Sequence, residues 1–115
     1  MLEVGDGVDA AGKSIKKIFA LEKIEEEKDA MTAAVIYMDN EGKAAFAIAQ
    51  SSPELGVLGQ DWRIEKVHVA VSKARMQIQA VRDEAGDAVA VVLNIRRGKA
   101  QRLYLWHDGE LRAKH

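Results

Sequence analysis

The chain has 115 residues, which is room for one domain, spanning residues 1–115, with one hydrophobic core. Its composition, 48% hydrophobic and 30% charged, is that of a globular protein rather than a disordered one. The absence of cysteine excludes disulfides and thiol catalysis, and no apolar run reaches the roughly 20 residues of a membrane-spanning helix. The N-terminal residues show no basic stretch followed by an apolar run, so we expect a cytoplasmic protein.

The net charge of −1 hides an uneven distribution along the chain. Residues 1–60 carry six Lys or Arg against eleven Asp or Glu, whereas residues 61–115 carry eleven against seven. Two oppositely charged halves can attract each other within the fold or across a dimer, or can attract separate partners. The simplest interpretation is two solvated surfaces of opposite charge.

Residues 7–14 fit the phosphate-binding pattern G-x-x-x-x-G-K-[ST], carried by Gly7, Gly12, Lys13 and Ser14. In such a loop, backbone N–H groups cradle phosphates, the lysine reaches the outer phosphates and the hydroxyl holds Mg²⁺. The pattern also requires a buried strand before the loop, and residues 1–6 offer little apolar sequence for one. Nucleotide binding is therefore the third of three function hypotheses, and the sequence predicts no other cofactor.

Apolar residues between positions 15 and 24 recur at spacings of three and four, which is the period of a helix. We therefore predict a first helix over about residues 14–30. Ser14 or Asp9 is the candidate N-cap, because the side-chain oxygen of either residue can accept a free backbone N–H. The glutamates at positions 25–27 are typical of a solvated face.

A hairpin is predicted next, with strands over residues 32–38 and 43–50 joined by Asp-Asn-Glu-Gly. Asp, Asn and Gly tolerate the left-handed backbone of a tight turn. In the second strand, alternate alanines form one face, whereas Phe46 and Ile48 belong to the other. Both faces are apolar, so we expect both to be covered, the alanine face by a helix lying close to the backbone.

A second helix is predicted to begin after Asp61 and to end before Gly86. Its apolar stripe consists of Ile64, Val67, Val71, Ala74, Ile78 and Val81. A strand over residues 63–72 remains the alternative, because the apolar residues there also alternate.

The C-terminal part predicts strands over residues 88–96, 101–107 and 110–113, with turns at Arg97-Gly98 and Asp108-Gly109. The order α-β-β-α-β-β-β predicts an α+β domain, a single layer of about five mostly antiparallel strands with two helices on one face. This order resembles that of the Roadblock dimerisation family, and the resemblance implies a dimer.

If both helices cover one face, the other face of the sheet is left with apolar side chains. The residues on that face are Phe46, Ile48, Tyr104 and Trp106. An exposed apolar sheet face usually marks a partner surface, and a second copy of the chain is the simplest partner. We therefore predict a homodimer through this face, or another protein partner, and a non-catalytic protein-interaction or regulatory function.

The alternative function is nucleic-acid binding by the basic hairpin over residues 96–102. Its cations are Arg96, Arg97, Lys99 and Arg102. Basic β-ribbons enter nucleic-acid grooves, and Tyr104 and Trp106 would stack on bases if they were exposed. Cations also protect strand edges against aggregation, and an acidic protein partner would suit them as well.

The sequence predicts no enzyme and no metal site. The three histidines, His68, His107 and His115, lack metal-ligand spacing, and no serine lies in a nucleophile-elbow context. The carboxylates of residues 83–87 cluster at the end of the second predicted helix, where solvent exposure explains them.

Overall fold

The computed structural model describes residues 7–8, 14–15, 18–27, 30–51 and 62–114. These residues form strands and turns without a helix, so the described protein is all-β. In chain order the strands are β1 (Gly7–Val8), β2 (Ser14–Ile15), β3 (Ile18–Glu27), β4 (Ala30–Met38), β5 (Lys43–Ser51), β6 (Trp62–Ser72), β7 (Arg75–Arg82), β8 (Ala88–Arg97), β9 (Ala100–His107) and β10 (Glu110–Lys114).

The eight longer strands form two four-stranded antiparallel sheets. The first sheet is the meander β3-β4-β5-β6, and the second sheet is the meander β7-β8-β9-β10. The short strand β1 extends the first sheet by pairing in parallel with β6, and β2 pairs antiparallel with β1. Within the described ranges, no helix is long and apolar enough to cross a membrane.

The two sheets pack face to face around an apolar group that we call the inter-sheet cluster. Its buried members are Ala34, Ile36, Phe46, Val91, Leu93 and Ile95. Strand β7 lies across β3, β4 and β5, and near its end the Arg82 guanidinium donates a 2.9 Å hydrogen bond to the Lys23 carbonyl oxygen. Burial of this cluster is the main attraction between the sheets, because apolar area removed from water contributes about 25 cal/mol per Å².

The other side of the first sheet carries a second group, which we call the alanine cluster. It consists of Ile18, Ala33, Val35, Tyr37, Ala45, Ala47, Ala49, Trp62 and Ile64. Strands β4 and β5 are therefore buried on both faces, which confirms the prediction made from the apolar pattern of β5. The predicted helix over the alanines is wrong for the described residues, where these alanines pack with Val35, Trp62 and Ile64.

The first predicted helix is wrong, because its segment contains β3 and the start of β4. Two β-bulges interrupt β3, and each bulge inserts one residue, so residues three apart can share a face. Ile18 and Leu21 accordingly pack in the alanine cluster. Ala20 and Ile24 pack in the inter-sheet cluster. The bulges thus produce the three- and four-residue spacings that resemble a helix.

The second predicted helix is also wrong, and its residues form β6 and β7, which belong to different sheets. Two bulges again shift the alternation within β6. The chain leaves the first sheet at Lys73, whose backbone is left-handed with a φ of 54°. The stripe from Ile64 to Val81 therefore does not share one face. The alternative strand interpretation of residues 63–72 is confirmed.

These corrections change the fold class from α+β to all-β, with two sheets instead of one five-stranded sheet under two helices. The resemblance to the Roadblock family rested on those helices and has no support in the fold. The hairpin predicted over residues 32–38 and 43–50 is confirmed as β4 and β5. The three predicted C-terminal strands are confirmed as β8, β9 and β10.

Two turns share the spacing Asp-x-x-Gly. Asp83 Oδ1 accepts the backbone N–H groups of Ala85 and Asp87 at 3.0 and 2.9 Å, and Asp39 accepts two equivalent bonds in the β4–β5 turn. Gly86 has a φ of 87°, which residues with a side chain rarely adopt. Gly86 therefore closes a hairpin turn and does not follow a helix.

Replacing Asp83 with alanine should lower the free energy of unfolding by about 1–2 kcal/mol, because two backbone N–H groups lose their acceptor. Asp87→Ala is the matched control, since it removes a second exposed carboxylate from the same turn without removing either bond. Urea-unfolding midpoints measure both variants. Equal midpoints would contradict the role assigned to Asp83.

Candidate functional site

The four residues predicted for a dimer face lie between the two sheets of one chain. Phe46 is 0% exposed, and Ile48, Tyr104 and Trp106 pack against the same inter-sheet cluster. The second sheet, built from the segments β7 to β10, covers the face that the sequence left open. The homodimer itself stays a prediction, and it needs another surface.

The phosphate-binding pattern falls mostly outside the described residues, which include Gly7 and Ser14 but not Gly12 and Lys13. Gly7 and Ser14 lie on β1 and β2, which pair antiparallel. A phosphate-binding loop needs a helix that begins at its serine end. Ser14 lies on a strand instead, so the described residues do not support nucleotide binding.

The outer face of the second sheet points away from the first sheet, and the strand register orders its side chains in rows. The rows are Arg75, Arg96 and Gln101; then Gln77, Asn94, Leu103 and Lys114; then Gln79, Val92, Leu105 and Arg112; and then Val81 and Ala90. These residues alternate along each strand with members of the inter-sheet cluster. They therefore form one continuous surface.

The middle of this outer face carries apolar side chains among polar ones. Leu103 is 39% exposed, while Val92 and Leu105 are half-buried. On antiparallel neighbours such side chains lie about 5 Å apart, so Val92, Leu103 and Leu105 form a contiguous patch. A contiguous exposed apolar patch is the usual mark of an interaction surface.

Charge is segregated between the two ends of the second sheet. One end, the basic end, carries Lys73, Arg75, Arg96, Arg97, Lys99, Arg102 and Lys114. The opposite end, the acidic end, carries all five carboxylates of residues 73–114, namely Asp83, Glu84, Asp87, Asp108 and Glu110. Within the basic C-terminal half of the sequence, charge is therefore separated between the two ends of one sheet.

The cations at the two ends differ in their partners. At the acidic end, Arg82 forms an ion pair with Glu22, and Arg112 Nε donates a 3.1 Å hydrogen bond to Glu110. The Arg112 guanidinium lowers the pKa of the Glu110 carboxyl below its ordinary value. At the basic end, Arg75 lies directly opposite Arg96, and within the described ranges neither forms an ion pair. Like charges directly opposite each other destabilise a sheet, so an anion that binds there relieves a cost.

Asn94 adds an unpaired polar atom to the outer face. Its side-chain Oδ1 is buried and has no hydrogen-bond partner among the described residues, although Gln77 and Leu103 beside it are exposed. An unpaired buried oxygen costs about 1–3 kcal/mol. A surface groove reaches Asn94 and its neighbours Gln77, Val92 and Leu103. A partner that supplies a donor in this groove would recover that cost.

The basic hairpin is a two-residue turn at Gly98 and Lys99, with Arg97 paired to Ala100. Gly98 has a φ of 60°, as a type II′ turn requires at its first central position. The four hairpin cations predicted for nucleic-acid binding are all exposed, and in the described part of the chain none forms an ion pair. The cations are Arg96, Arg97, Lys99 and Arg102. The four lie at one end of the second sheet, with Arg96 on its outer face and Arg97 and Arg102 off that face. Tyr104 and Trp106 point to the interior and are not available to stack on bases.

A shallow pocket between β6 and the β9–β10 hairpin contains His68 and Glu110. His68 Nε2 accepts a 3.2 Å hydrogen bond from Trp106 Nε1, and Glu110 is held by Arg112. In the described part of the chain, no three His, Asp or Glu side chains lie close enough to hold a metal ion.

Stability should fall as the pH drops below about 6.5, because burial, and then the charge of Lys66, lower the pKa of His68 from 6.5. As the pH falls, the unfolded chain takes up the proton first. The loss of stability therefore begins near pH 6.5 and ends below the pKa of His68 in the folded protein. His68→Gln keeps an acceptor for Trp106 and removes the titration. Urea midpoints from pH 7.5 to 5.5 should decline less in this variant, and an unchanged decline would contradict the role of His68.

No protein-family model matches the chain, and searches among curated proteins and among solved structures found no significant match.

Proposed function

We propose that the protein is a non-catalytic protein-interaction module that pairs with a second copy of itself through the outer face of its second sheet. The observation that supports this most is the separation of charge along the second sheet, with the outer-face cations Arg75 and Arg96 at one end and the carboxylates of residues 83–87 and of Glu110 at the other. Such a face is self-complementary when the second copy is rotated by 180° about an axis that lies in the interface and runs across the strands. Each basic end then meets an acidic end. An isologous dimer has this symmetry.

The apolar patch at the middle of the face supports the same arrangement. A two-fold axis through the patch places Val92, Leu103 and Leu105 of one copy on the same residues of the other. Interfaces typically combine such an apolar centre with a charged and polar rim. The amide groups of Gln77 and Gln79 on the second copy would supply donors near the unpaired Asn94 oxygen.

Absence of catalysis belongs to the same proposal. His68 and Glu110 share a pocket, where His68 Nε2 accepts a hydrogen bond from Trp106 and Glu110 Oε2 accepts one from Arg112. The cytoplasm remains the location predicted from the sequence.

The experiment is a comparison of solution mass for the wild type, Leu103→Glu and Val67→Glu. Val67 is the matched control, because it is 41% exposed but lies on β6 of the first sheet. The wild type and Val67→Glu should have twice the chain mass of 12.6 kDa, and Leu103→Glu should have the single mass. A monomeric wild type at every accessible concentration, or a dimeric Leu103→Glu, would overturn the proposal.

A further inference from the structure

We infer that the tip of the β8–β9 hairpin is a binding site for the phosphate backbone of double-stranded nucleic acid. The tip comprises Arg97, Lys99 and Arg102. The inference goes beyond the proposed self-association and does not rest on it. Arg97 and Arg102 alternate with the outer-face residues Arg96 and Gln101, and Lys99 lies at the turn, so all three are off the dimer face.

The tip has the charge that a polyanion needs. Residues 94–107 contain no carboxylate, and Arg97, Lys99 and Arg102 are exposed without an ion pair to any described residue. Two of the three are arginines, whose planar guanidinium groups can form two parallel hydrogen bonds to one phosphate. Clustered cations repel each other in the free protein, so phosphate binding relieves that repulsion.

The shape of the tip favours the backbone of nucleic acid over its grooves. Arg96 is paired with Arg75 at the start of β7, so the hairpin extends past its neighbouring strand by little more than the turn itself. A major groove is about 8.5 Å deep, and a ribbon must project that far to read base edges. A short tip contacts phosphates instead, and such contacts position a protein without reading sequence.

The orientation of the aromatic residues favours a duplex over a single strand. Proteins that hold single strands stack bases on exposed aromatic side chains. Tyr104 and Trp106, which follow the tip on β9, pack in the inter-sheet cluster, and the Trp106 Nε1–H is bound to His68. The tip therefore offers cations without a stacking surface, which suits the dense phosphate charge of a double helix.

The test is binding of a fluorescent 20-base-pair DNA duplex of mixed sequence, followed by anisotropy at several salt concentrations. With three phosphate contacts, we expect log K to fall with log salt at a slope of about −2.7, or roughly 40-fold from 50 to 200 mM. Arg97→Gln with Lys99→Gln should weaken binding on the order of tenfold or more and reduce the slope by about 2. The single strand of equal length should bind more weakly.

The control is Arg63→Gln with Lys66→Gln, which removes two exposed cations from the first sheet. Its net charge equals that of the tip variant. Equal affinity of the two double variants would overturn the inference, as would the absence of duplex binding at 50 mM salt. Tip-dependent binding to polyglutamate or to phosphatidylserine vesicles, with none to the duplex, would overturn it in favour of an acidic protein or a lipid surface. The tip variant should keep the wild-type solution mass, so failure here is distinct from failure of the proposed dimer.

Discussion

Replacing Phe46 with alanine should lower the free energy of unfolding by about 3–5 kcal/mol. The ring is fully buried between the two sheets, where it packs with Val91 and Leu93 of the opposite sheet. Its removal leaves a cavity that rigid strands on both sides can fill only in part. Because the free energy of unfolding of a small domain is about 5–15 kcal/mol, this one substitution removes a large fraction of it.

Val67→Ala is the control for Phe46→Ala, since Val67 is an exposed apolar residue whose truncation should change stability by about 0.5 kcal/mol or less. Urea unfolding at a low protein concentration measures both variants. A dimer-face position for Phe46, as the sequence suggested, predicts the opposite result. Phe46→Ala would then remain folded with an almost unchanged midpoint but would have half the solution mass.

The double reversal Arg75→Glu with Arg96→Glu should weaken self-association on the order of 100-fold. In the proposed dimer these two cations meet the acidic end of the second copy, and two-fold symmetry makes each contact occur twice. A single exposed ion pair contributes only about 0.2–1 kcal/mol, but reversal at four positions replaces attraction with repulsion at each. A total of about 2.7 kcal/mol corresponds to that 100-fold change.

The control for this reversal is Arg97→Glu with Lys99→Glu, which reverses the same number of charges at the hairpin tip, away from the outer face. Sedimentation equilibrium should give a monomer for the first double variant and a dimer for the second. If both variants associated equally well, the outer face would not be the interface.

The hairpins were predictable because their signals are local. The Asp108-Gly109 turn has positive φ at both residues, 50° and 77°, which is the backbone that this dipeptide favours between strands. The repeated Asp-x-x-Gly spacing at Asp39 and Asp83 was a further local signal. Comparison of the two turns would have identified Gly86 as a hairpin residue.

The two helices were mispredicted because the bulges in β3 and β6, and the change of sheet at Lys73, space apolar residues as a helix would. In β7, by contrast, Met76 and Ile78 alternate strictly with Gln77 and Gln79, and this period-two pattern was available in the sequence. The longer apolar stripe from Ile64 to Val81 concealed it. That stripe crosses from one sheet to the other at Lys73, which no local pattern reveals.

The candidate site could be predicted only in part. The hairpin cations were visible as a cluster in the sequence. Their relation to Arg75 was not, because that contact depends on the register between β7 and β8. The same register places Asn94 beside Gln77 and Leu103 on a face that exists only when a second sheet forms. Tertiary arrangement, rather than local preference, therefore defines this surface.

The most direct test of the proposed dimer is a mixing experiment with two charge-reversed variants. Arg75→Glu with Arg96→Glu replaces the two paired outer-face cations at the basic end with carboxylates, and Glu84→Lys with Asp87→Lys replaces two carboxylates at the acidic end with cations. Each variant alone should have the single chain mass of 12.6 kDa, because like charges meet at both contacts. An equimolar mixture should have twice that mass, since every contact is again attractive. Two monomers in the mixture, or a dimer of either variant alone, would contradict an interface on the outer face of the second sheet.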